Sequence, residues 1–71
     1  MSVDIVTQYV NTKDGENIVV IDHPPVGVAV GARVNIDFTD YEVVSIVMDI
    51  ETGKAYAHHH IVYIIRLKEI E

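Results

Sequence analysis

From Arg33 to Phe38 the apolar residues Val34, Ile36 and Phe38 alternate with Arg33, Asn35 and Asp37. This two-residue period belongs to a strand with one face in a core and the other in water. The pattern resumes after Thr39-Asp40-Tyr41: from Glu42 to Glu51, Val44, Ile46, Met48 and Ile50 take one face and Val43, Ser45, Val47, Asp49 and Glu51 the other. Read as a three-residue loop, Thr39-Asp40-Tyr41 pairs Phe38 with Glu42, Ile36 with Val44 and Val34 with Ile46, so both apolar faces fall on one side of the sheet. Thr52-Gly53 then leads into a long last strand from Lys54 to about Glu69. In it, Ile61, Tyr63, Ile65 and Leu67 oppose His58, His60, Arg66 and Lys68. A two-residue loop at that point sets Ile50 against Ala55, Met48 against Ala57 and Val44 against Ile61. A one-residue slip at a bulged glycine would turn His58 and His60 inward and lose burial at every pair.

The N-terminal half carries two further strands. One runs from Val3 to Val10 and ends at a turn over Asn11 to Glu16, where Asp14-Gly15 supplies positive φ; the second, Asn17 to Asp22, is stopped by His23-Pro24-Pro25. The stretch from Val26 to Ala32 is apolar but broken by Gly27 and Gly31, so it reads as a bend or bulged edge packed on the core. Composition reinforces the strand reading: 13 Val and 10 Ile stand against one Leu and 4 Ala, and β-branched side chains lose χ1 freedom in a helix.

Five or six short strands with turn signals between them predict an all-β antiparallel meander that closes into a partly open barrel and so hides its edges. The run Val30-Gly31-Ala32-Arg33-Val34-Asn35-Ile36, a turn, and then Tyr41-Glu42-Val43-Val44 resembles the middle strands of SH3-like small barrels. That likeness covers about half the chain and implies architecture alone.

Residues 1–71 make one small domain with no space for a large catalytic cleft. The net charge of −6 argues against direct binding to nucleic acid or to anionic membrane. Residues 1–51 hold 9 acids and 2 bases and residues 52–71 hold 3 bases and 2 acids, so the last strand is the basic part of an acidic chain. No apolar run nears the roughly 18 residues of a membrane span and no leader-like segment opens the chain, which predicts a soluble, cytoplasmic protein. With no Cys there is neither a disulfide framework nor thiolate chemistry. Nucleotide-binding and hydrolase motifs are missing, and a Ser45–His60 dyad lacks an oxyanion site and an orienting acid, so the chain reads as non-enzymatic.

Three features could carry function. His58 and His60 lie about 6–7 Å apart on one strand face, near enough to share zinc or another divalent transition metal, with Asp49 as the neighbouring carboxylate. Two imidazoles and one carboxylate fall short of a structural zinc set, and surface histidines are the simpler reading. Asp37, Asp40, Glu42, Asp49 and Glu51 form an acidic stripe that is either a solvated face or a mimic of nucleic acid able to block a partner protein. The third feature is an apolar surplus. Val43, Val47, Val62 and Ile64 fall on strand faces expected to be wet, and Tyr41 and Tyr56 sit at loops. A chain this small cannot enclose two apolar faces, so these six residues predict an interface with a second copy or another protein. A self-associating interaction or regulatory module, with no cofactor, is therefore the leading expectation.

Overall fold

The structure is a computed structural model and describes residues 3–52 and 59–71. Five strands make up its regular structure: β1 (Val3–Asn11), β2 (Asn17–Ile21), β3 (Arg33–Ile36), β4 (Thr39–Thr52) and β5 (His59–Glu69). No helix occurs among the described residues, in line with the β-branched composition. The first hairpin forms as its turn chemistry dictates. Gly15 takes φ 75°, the Gly15 amide donates to the Asn11 carbonyl at 2.8 Å, and Asp14 Oδ1 accepts from the Glu16 amide at 3.0 Å.

The sheet order is β2-β1-β5-β4-β3, and β1 runs parallel to β5 while every other neighbour is antiparallel. The sheet is therefore mixed and curls into a half-barrel, in place of the expected antiparallel meander. The difference arises at residues 22–32. This segment joins β2 at one edge to β3 at the other, so it crosses the concave face as a strap. Thr7 Oγ1 donates to the His23 carbonyl at 2.7 Å near its start, and the Gly31 amide donates to the Val43 carbonyl at 2.8 Å near its end. Between these ties Val28 packs on the core, as Ala32 does at the strap's end. With both edges joined over the concave side, the last strand enters the middle of the sheet beside β1.

Two registers also differ from expectation. The β3–β4 turn is the two residues Asp37 and Phe38, at φ 50° and 66°, which pairs Ile36 with Thr39 and Val34 with Tyr41. Positive φ at both central positions gives a hairpin turn whose twist matches its strands. The shift brings Tyr41 and Val43 into the core, where one is 8% and the other 1% exposed, and sends Phe38 out to the turn tip. A bulge between Val43 and Ser45 then turns Val44 outward and returns Ile46 to the inner side. Beyond it β4 pairs with β5 through Thr52↔His59, Ile50↔Ile61 and Ile46↔Ile65, six residues further along β5 than a two-residue loop would set. An even offset preserves which side chains share a face, so Ile61, Tyr63, Ile65 and Leu67 still line the inner side. The expected strand start at Lys54, the turn at Gly53, and Tyr56 and His58 lie outside the described residues.

Phe38 is fully exposed and stands in a backbone region that costs an L-residue roughly 1–2 kcal/mol. Phe38→Gly therefore relieves strain without removing packing and is expected to stabilise the chain by about 1 kcal/mol, raising the melting temperature by a few degrees. A melting temperature that stays the same or falls would contradict the assigned turn.

Candidate association surface

The core is gathered at one end of the sheet. Tyr9, Tyr41, Val43, Ile65 and Leu67 form its buried cluster, with Ile18, Val19, Ile21, Val34 and Ile36 packed around them beneath the strap. β2 meets β1 only from Thr7 onward, and β3 meets β4 only up to Glu42, with the strap's Gly31 and Ala32 extending that contact to Val43. Past these limits β4, β5 and the start of β1 continue as a three-stranded arm. The chain measures 48 × 23 × 19 Å with a radius of gyration of 13.5 Å. A compact chain of this length would have a radius near ~11 Å.

Apolar residues lie on both faces of the arm. On the inner side Met48 and Ile50 are 51% and 53% exposed, and their partners Tyr63 and Ile61 are half-buried. On the outer side the cross-strand rows can be read directly from the register. Val47 lies opposite Ile64, which lies beside Gln8 and then Val20; Asp49 lies opposite Val62, beside Val6. Val47, Val62 and Ile64, three of the residues expected at an interface, thus share one patch. Tyr41 and Val43 belong to the core instead, because the turn and the bulge shift them inward. Alternation alone assigns Met48 and Ile50 to the core. The signal against that assignment is arithmetic: 71 residues cannot cover both faces of two long strands.

The polar candidates fall around this patch. His60 stands opposite Glu51 on one side and beside Asp4 on the other, and Asp49 is diagonal to it. Among the described residues no group of three or more His, Asp or Glu is arranged to hold a metal ion. Ser45 lies opposite Arg66, far along the strand from His60, so the two do not form a dyad. His59 is half-buried opposite Thr52, and among the described residues its Nδ1 has no hydrogen-bond partner. Asp37, Asp40, Glu42, Asp49 and Glu51 are all exposed, and two face bases across the sheet, Glu42 opposite Lys68 and Glu51 opposite His60. Two surface depressions at the core end, one bordered by Glu42, Lys68, Glu69 and Ile70 and the other by Asn11, Thr12 and Lys13, bring together no histidine and serine. No helix among the described residues is long and apolar enough to cross a membrane. Compared with family models, curated proteins and solved structures, the chain matches none of them.

Proposed function

We propose that this chain is a non-enzymatic protein-interaction module that associates with itself through the arm of β4 and β5. The separation of a strapped core at one end from an arm that carries exposed apolar residues on both faces at the other supports this reading. Surface area supports it in magnitude. The chain exposes 5129 Å². A folded monomer of this mass would expose about 4,450 Å². The excess of roughly 700 Å² is close to the ~800 Å² that each partner contributes to a stable interface.

The reading predicts a mass of twice 8.0 kDa in solution that falls towards one chain on dilution. Each copy carries −6, so salt should screen the repulsion and strengthen the assembly. An acidic mimic bound to a basic partner would weaken with salt instead. Light scattering over a dilution series at low and high salt checks both trends. A single-chain mass at every concentration would overturn self-association.

A further inference from the structure

Resting on that reading, we infer that the second copy docks antiparallel along the free edge of β4, with Met48 facing its own counterpart. From Ser45 to Thr52, β4 pairs with β5 on one side and with no described strand on the other. Among the described residues, alternate backbone groups along this edge therefore lack a sheet partner. Of the residues that ordinarily protect such edges the stretch has no Pro and no Lys, and its two carboxylates, Asp49 and Glu51, fall on the outer face. Strand addition satisfies the backbone and prolongs the apolar face in one step.

Symmetry and charge select the register. A two-fold axis through the sheet sets one residue opposite itself, and side chains directly opposite share a face. Centring on Asp49 would set that carboxylate against its copy, and centring on Ile50 would set Asp49 against Glu51 twice; like charges directly opposite are destabilising. Centring on Val47 confines the pairing to Ser45–Asp49, because Val44 is the bulged residue and the edge groups of Val43 already bond to Gly31 and Ala32, whereas centring on Met48 lengthens it to Ser45–Glu51. Centring on Met48 meets no such obstacle. Ser45 then faces Glu51, Ile46 faces Ile50, and Val47 faces Asp49. The inner rows of the two copies join as Ile46, Met48 and Ile50 against Ile50, Met48 and Ile46. The two Asp49 carboxylates become diagonal neighbours, which adds to the salt dependence expected above.

Single cysteines in this cysteine-free chain test the register. Met48→Cys places two thiols within the Cα separation that a disulfide spans, whereas Glu51→Cys places them about 20 Å apart. Under mild oxidation Met48→Cys should form covalent dimer about tenfold faster or more, because its partner is held in place. Equal rates, or faster linkage at Glu51→Cys, would overturn the pairing. A dimeric mass with no preference for Met48→Cys overturns the β4 edge and leaves self-association standing, while a single-chain mass overturns both.

A charge exchange tests the same register independently. Val47→Asp faces Asp49 of the other copy and should release monomers, and Val47→Asp combined with Asp49→Lys should restore the dimer. Failure of the double variant to recover while it keeps the wild-type far-UV dichroism would contradict the register. If Val47→Asp fails to fold, the cysteine comparison still decides.

Discussion

Leu67→Ala is expected to destabilise the chain by about 3 kcal/mol, the range for truncating a fully buried leucine in a packed core. Leu67 has no exposed surface, lies opposite Val43 and beside Asn11, and its carbonyl accepts from the Thr12 amide at 2.9 Å. It therefore joins three strands and the first turn. A chain of this length has a total stability of only about 4–10 kcal/mol, so the loss would leave a large unfolded fraction at moderate temperature. Met48→Ala removes a similar volume from the arm, where the side chain is half exposed, and should cost under about 1 kcal/mol in the monomer. Urea unfolding of both variants at a concentration where the chain is single makes the comparison. Equal losses would mean that the arm belongs to the core, and the division between the two ends would be wrong.

Thr7→Val is the second large effect. Thr7 is 1% exposed, and its hydroxyl holds the strap by donating to the His23 carbonyl at 2.7 Å. Valine keeps the shape and removes the donor, which leaves that acceptor unsatisfied at a cost of about 1–3 kcal/mol. The strap should loosen before the sheet does, so protease cleavage around exposed Val26 and Val30 should quicken alongside a lower denaturation midpoint. Thr7→Ser keeps the hydroxyl and should restore most of the protection against cleavage. Protection unchanged in Thr7→Val would mean that the strap is held by its apolar contacts alone.

What the sequence made legible is what local chemistry determines. Asp14-Gly15 places the first hairpin because only a residue tolerant of positive φ fits there, and the alternation from Arg33 to Phe38 places β3, which ends two residues earlier at Ile36. The turn after β3 differs from the expected three-residue loop because Phe38, an improbable residue at φ 66°, occupies a position where Gly or Asn is usual. A single bulged residue at Val44 was enough to exchange the faces of Val43 and Val44, which alternation alone does not reveal. The parallel pairing of β1 with β5 joins chain segments more than 50 residues apart and leaves no local trace. On the arm, the outward facing of Val47, Val62 and Ile64 was legible because their strands keep strict alternation there. Met48 and Ile50 were not, since an apolar strand face looks the same in sequence whether the chain covers it or leaves it bare.

The most direct measurement of the central claim is amide hydrogen exchange along β4 at high and at low protein concentration. The account predicts that alternate amides between Ser45 and Thr52 lose protection on dilution, while the core amides of Val43, Ile65 and Leu67 exchange equally slowly in both samples. Exchange along Ser45–Thr52 that is independent of concentration would contradict it.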